Sequence, residues 1–166
     1  MVSLLAFLPF NLMAKDDIFQ KMTAELVKAK SFEYTGEIKA TGMSKAISIK
    51  GNFDLSKNKS QTLSTAQIEK IKGYIAQSKI FKVQNKLMDE KVGGLDAYHY
   101  KFSLDTKELM KLGKEVNKME DYKKSLKILE SLSAEIWINK KDLLPLKLWL
   151  KSSGFDISLN LKNYKK

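Results

Sequence analysis

The sequence predicts an α+β fold: a curved antiparallel β-sheet with α-helices packed on one face. Three observations lead there. Short runs of period-two apolar and polar alternation, separated by turn residues, mark half-buried strands. Helical stripes fall between groups of such runs rather than after each one, so no βαβ repeat sets up a parallel sheet. Glycines stand on the apolar faces of two strand runs, where they mark a bend or a close approach. At 166 residues the chain is long enough for one domain with its own core.

Residues 1–14 (MVSLLAFLPFNLMA) are apolar and uncharged. They are too few to span a bilayer as a helix and read as the hydrophobic end of a secretory signal, with Ala14 as cleavage edge. Residues 15–166 then form the single domain. Residues 15–30 read as an amphipathic helix: Asp16 and Asp17 suit its N-terminus, and Ile18, Phe19, Met22, Leu26 and Val27 share one face. Residues 31–41 and 46–55 alternate and form a hairpin across Gly42-Met43-Ser44-Lys45. Gly36 and Gly51 lie on its apolar side. Residues 56–64 are turn-like. Thr65 then caps a helix running to about residue 79, with Ile68, Ile71 and Ile75 as its apolar side.

Residues 80–92 read as an extended, irregular strand that pairs through the Gly93-Gly94 turn with the clearest strand in the chain. In that strand Tyr98, Tyr100, Phe102 and Leu104 point one way; Ala97, His99, Lys101 and Ser103 point the other. Asp105 caps the next helix, with Glu108 completing a capping-box-like pattern, and that helix extends to about Met119. Tyr122, Leu126, Leu129 and Leu132 suit a further helix. Residues 134–161 return to strands as a three-stranded meander with turns at 139–142 and 152–154. Pro145 suits a strand start or an edge. Trp137 and Trp149 occupy the more polar faces of their strands, either as cross-strand packing or as part of an apolar binding surface.

The composition narrows the chemistry. There is no cysteine, which removes disulfides, thiol chemistry and thiolate-bound metals. The net charge is +11, and every basic residue is lysine. Lysine is a hydrated point charge without the bidentate fork that reads guanine, so sequence-specific nucleic-acid binding is disfavoured. The lysines are spread along the chain. They suit a solvated surface, or attraction to an anionic membrane surface. His99 is the one histidine and reads as structural or surface-lying. No zinc-binding, calcium-loop, phosphate-loop or nucleophile-elbow motif is present, so the sequence points to no cofactor, no metal and no catalytic set.

Two stretches resemble a known family. The run GGLDAYHYKFSL, from Gly93 to Leu104, and AEIWINKKDLLPLKLWL, from Ala134 to Leu150, are similar to the C-terminal half of LolA/LppX-like envelope proteins. The residues carrying the likeness are Gly94, Tyr98, Tyr100, Glu135, Trp137, Ile138, Leu144, Pro145, Lys147 and Leu148. The resemblance implies a strongly curved antiparallel β-sheet, an incomplete or half barrel, packed on and closed by α-helices, and a bacterial extracytoplasmic carrier, without enzymatic activity, that holds a lipid, a lipoprotein acyl chain or another amphipathic ligand in the concavity of that sheet. Its partners would be lipid or acylated protein. This chain departs from the family in its short passage from residue 55 to 65 and in lacking a lipobox cysteine. A smaller, more open barrel follows from the first. Cavity-lining candidates are Ile47, Ile49, Phe53, Tyr98, Tyr100, Phe102 and Trp137. The alternative is a ligand-free structural or protein-interaction module of the cell envelope on the same scaffold.

Overall fold

Eight strands form one antiparallel sheet in the order β2-β1-β8-β7-β6-β5-β3, with β4 paired to β5. The computed structural model describes residues 17–54, 64–116 and 129–166. The elements are α1 (Asp17–Leu26), β1 (Ser31–Ala40), β2 (Ile47–Asp54), α2 (Thr65–Ala76), β3 (Phe81–Lys86), β4 (Glu90–Val92), β5 (Leu95–Leu104), α3 (Thr106–Glu115), β6 (Ser133–Asn139), β7 (Pro145–Lys151) and β8 (Phe155–Lys165). The α+β class and the curved sheet predicted from the pattern are the ones observed. The sheet is not closed: β2 and β3 stand at the two ends of the order. The N-terminal signal-like segment, Met119, Tyr122 and Leu126 lie outside the described residues.

The register explains why one face of the sheet is apolar. Across the strands, Tyr100 is opposite Ile136, Ile136 opposite Leu148, and Leu148 opposite Leu159. Gly36 continues the row beside Leu159, and Ile49 ends it. The chain returns from β8 to pair with β1, so the N-terminal hairpin joins the C-terminal meander. That long-range pairing is what bends the sheet round the helices.

Several local signals read as predicted and others shifted. Val92 pairs with Leu95, leaving Gly93 and Gly94 as a two-residue turn. Both take positive φ, 58° and 83°, as a primed hairpin turn requires. Asp105 caps α3 by accepting from the backbone N–H groups of Lys107 and Glu108. The Glu108 side chain pairs with Lys111. The cap of α2 is Ser64, one residue before Thr65, and it forms a full capping box with Gln67. The irregular strand of residues 80–92 is two strands, β3 and β4, both paired with β5 and separated at 87–89.

The two interior glycines mark close approaches. A Cβ on Gly36 would lie 2.0 Å from the Ser158 carbonyl oxygen on β8. A Cβ on Gly51 would meet the ring of Tyr34, 2.5 Å from its hydroxyl. The strand glycines therefore let β1 press against β8 and let Tyr34 lie flat across β2.

The filled part of the core sits between α1 and strands β5 and β6. Phe19 and Met22 of α1 are buried against Tyr100, Phe102, Ala134, Ile136 and Ile138. The Phe19 ring meets Phe81, Tyr100 and Phe102 edge-on or tilted, at centroid distances of 5.6, 6.0 and 5.5 Å. A second cluster joins Ile80 to Leu109 and Leu112 of α3 and to Val116 at its C-cap, with Ile71 and Ile75 of α2 against it. Thr23 and Ser78, both buried, share a hydroxyl–hydroxyl hydrogen bond of 2.6 Å that ties α1 to the end of α2.

Candidate functional site

Between the helices and the sheet lies a cavity of about 490 Å³. Phe19, Met22 and Leu26 of α1 and Ile68, Ile71 and Ile75 of α2 form its roof. Its floor is Phe102, Ile136, Leu148, Leu159 and Leu161, from neighbouring rows of the sheet's apolar face. Phe32, Phe53 and Tyr164 stand at the β1–β2–β8 side. Phe32 stacks on Phe53 at 5.1 Å and tilts against Tyr164 at 5.4 Å.

α2 explains how the cavity forms. It carries a full apolar stripe, yet none of its residues is fully buried. Ile71 and Ile75 pack in part against the Ile80–Leu109–Leu112 cluster, and together with Ile68 they face the cavity on their other side. Across from it, Leu148, Leu159 and Leu161 are likewise only half-buried, unlike their row-mates on β5 and β6.

The polar atoms on the lining have partners. Thr23 Oγ1 meets Ser78, and also donates to the Gln20 carbonyl at 2.9 Å. The Tyr164 hydroxyl donates to the Pro145 carbonyl at 2.8 Å. Burial pushes that hydroxyl well above the usual phenol range, so it stays a neutral donor. Among the described residues of the lining, Lys72 is the one that carries a charge. Its half-exposed stem lies along the cavity edge, and its ammonium pairs with Glu69 at 2.9 Å. The space therefore suits hydrocarbon, with charge at the rim.

A shallower apolar groove of about 310 Å³ continues along the sheet. It shares Phe32, Phe53, Leu159 and Leu161 with the cavity and runs on past Tyr34, Ile49 and Ile157.

The residues singled out from sequence fall in several places. Phe53 and Phe102 line the covered cavity, and Phe53 and Ile49 line the open groove. Tyr100 is buried in the filled core beside the cavity, and Tyr98 packs against the same core beneath Lys86 and Lys140. Ile47 is 54% exposed on the edge strand β2. Trp137 is on the opposite face of the sheet. There it stacks on His99 at 4.1 Å, donates from Nε1 to Glu90 at 2.9 Å, and lies beneath Lys147. The helix residues of the roof were read from sequence as core stripe. Nothing in their spacing separates them from an ordinary core stripe.

His99 is buried and held between carboxylates: Nε2 lies 2.9 Å from Glu135, and Nδ1 lies 3.4 Å from Glu90. It sits on the sheet face opposite the cavity, as the register requires. Trp137 stands opposite Lys147 and Trp149 opposite Glu135, so the two tryptophans are diagonal rather than paired. A bulge between Trp137 and Ile138 changes the phase at the start of β7 and turns Pro145 into the core side of the sheet. Among the described residues no group of three or more His, Asp or Glu is placed to hold a metal. Among them, too, no helix is long and apolar enough to cross a membrane.

Comparison with known proteins finds no matching family model. No curated protein sequence matches significantly. Among solved structures, the chain is similar to the Mycobacterium tuberculosis lipoprotein LppX, at 8% identity and TM-score 0.45, over 90% of this chain and 94% of that one. It is similar to LprF from Mycobacterium bovis at 8% identity and TM-score 0.47, over 88% and 90% of the two chains. A LolA superfamily protein from Nitrosomonas europaea matches at 12% identity and TM-score 0.29, over 89% and 92%.

Proposed function

We propose that this protein is a non-enzymatic, extracytoplasmic bacterial carrier that holds an apolar or amphipathic ligand, a lipid or a lipoprotein acyl chain, between its helices and the concave face of its sheet. The observation that carries the reading is the cavity of about 490 Å³, whose wall is almost wholly hydrocarbon. An apolar void of this size forfeits packing contacts on every side that faces it, so an occupant that fills it stabilises the fold. Phe53 and Phe102 would touch the ligand directly, with Ile49 in the groove beyond. Tyr98 and Tyr100 would support the cavity wall from the filled core. Ile47 at the sheet edge would serve the groove, and Trp137 would brace the wall from behind. Lys72 would draw a negative headgroup to the rim, and the net charge of +11 would favour approach to an anionic membrane surface. The segment 1–14 would be the export signal ahead of the domain. The alternative of a ligand-free interaction module expects a filled concavity, and the half-buried leucines of β7 and β8 speak for the carrier instead.

The test is native mass spectrometry of protein extracted under mild conditions, followed by thermal unfolding with added lipid. Co-purifying lipid, and a higher Tm on adding it back, are expected. Protein that emerges free of lipid and gains no stability from any added lipid would overturn the proposal.

A further inference from the structure

We infer that the ligand enters the covered cavity by one long acyl chain, that it is a single-chain amphiphile, and that its polar end stays outside. This deepens the carrier reading and rests on it. The first support is volume. At interior packing density a methylene takes on the order of 25 Å³, so the cavity of about 490 Å³ takes one chain of roughly sixteen to twenty carbons. Two such chains need about twice that space.

The second support is the chemistry of the wall. Thr23 and Tyr164 already use their hydroxyls on Ser78 and the Pro145 carbonyl, and Lys72 is engaged by Glu69 at the edge. A carboxylate, phosphate or glycerol hydroxyl drawn inside would exchange water for hydrocarbon and meet no uncommitted donor among the described lining residues, which is strongly unfavourable. The headgroup is therefore left at the rim, and selection acts on the chain.

The third support is the contrast between the two compartments. The groove beyond Phe32 and Phe53 is lined by strand residues, with no roofing helix among the described residues. A second chain laid there keeps one side in water and gains only part of the burial available to the first. The stacked Phe32–Phe53 pair lines both compartments, so it marks the place where a chain passes from cover to exposure.

The experiment uses purified, delipidated protein and three anionic probes: palmitate, palmitoyl-lysophosphatidylglycerol and dipalmitoylphosphatidylglycerol. Native mass spectrometry gives stoichiometry, and competition titration gives affinity. One single-chain probe per protein is expected, with the two single-chain probes within tenfold of each other and the diacyl lipid at least tenfold weaker. A series of saturated carboxylates from ten to twenty-two carbons should peak near sixteen to twenty, as the volume requires. Leu161→Trp adds on the order of 60 Å³ to the cavity wall and should move that peak down by about two or three carbons. Ile68→Trp on the α2 side serves the same purpose should the strand variant fail to fold. A diacyl lipid that binds as tightly as the single-chain probes, and loses affinity in the tryptophan variant, overturns the single-chain inference and leaves the carrier reading standing. A chain-length peak that the tryptophan variants do not move also overturns it. If no probe of either kind binds, both fall together.

Discussion

The two halves of the concave face have the same kind of residues and different fates. On β5 and β6, Tyr100, Phe102, Ile136 and Ile138 are at most 6% exposed, sealed by Phe19 and Met22 of α1. On β7, β8 and β1, Leu148, Leu159, Leu161 and Phe32 belong to the same apolar rows but are only half-buried. Alternation brings both sets to one face; only the helix above decides which set is packed. The filled half holds the fold, and the open half is left with apolar surface that the folded chain does not satisfy by itself. A fold stabilised throughout by its own packing would not leave α2 with a full stripe and no fully buried residue.

The most forceful way to break this comparison is to truncate equivalent residues in each half. Phe19→Ala removes the ring that three aromatic neighbours pack against and should cost about 3–5 kcal/mol in urea unfolding. Leu148→Ala in delipidated protein should cost about 1 kcal/mol, because that side chain is only half-buried and so loses fewer contacts, whereas Phe19, which also faces the cavity, is otherwise fully packed. Similar losses at the two sites would erase the distinction between a filled and an unfilled half.

The sheet's bend can be tested next. Gly36→Ala places a methyl group against backbone, the Ser158 carbonyl, so strands β1 and β8 must separate. Overpacking of this kind costs about 1–3 kcal/mol. Gly51→Ala meets the mobile end of the Tyr34 side chain, which can swing aside, and should lower Tm by clearly less. A reversed order would mean that the Tyr34 ring, rather than the β1–β8 approach, sets the curvature.

Much of this was legible in the chain. The alternation in residues 31–41, 46–55, 95–104 and 155–162 separated an apolar from a polar face, because a period of two is a local property, but it did not say which face lines a cavity. Gly36 and Gly51 announced the close approaches for the same reason. Pro145 does open its strand, as its residue type suggests, but its turn toward the core was not legible, since a bulge changes phase without leaving a mark in the pattern. Nor was the burial of His99 and Trp137, which depends on Glu90 arriving from β4 and Lys147 from β7. The cavity was the least legible part. Phe19, Ile68 and Leu161 look like ordinary stripe residues; whether a stripe is packed or roofs a space depends on how far apart the layers stand, and sequence spacing carries no measure of that distance.

The smallest effect comes from the seam where the end of β8 meets α1. Lys30 N–H donates to the Lys165 carbonyl at 2.7 Å, and the ammonium of Lys166 meets Glu25 at 2.7 Å. With Lys166 and then Lys28 hydrogen-bonded to it, the Glu25 carboxyl is lowered from 4.5 to about 2. The folded state thus binds this proton less readily than the unfolded chain, so the contact stabilises fully above about pH 4.5 and is lost as pH falls toward 2. Lys166→Ala should bring the Glu25 pKa back up toward 4.5 in a carboxyl-detected NMR titration and leave stability at pH 7 almost unchanged, because the pair is solvent-facing. It should also leave the chain-length preference of the cavity where it was, since Glu25 is not among the residues that line it. A shift in that preference would mean that α1 moves as the seam opens, and that the roof is set by the end of β8 as well as by the core beneath Phe19.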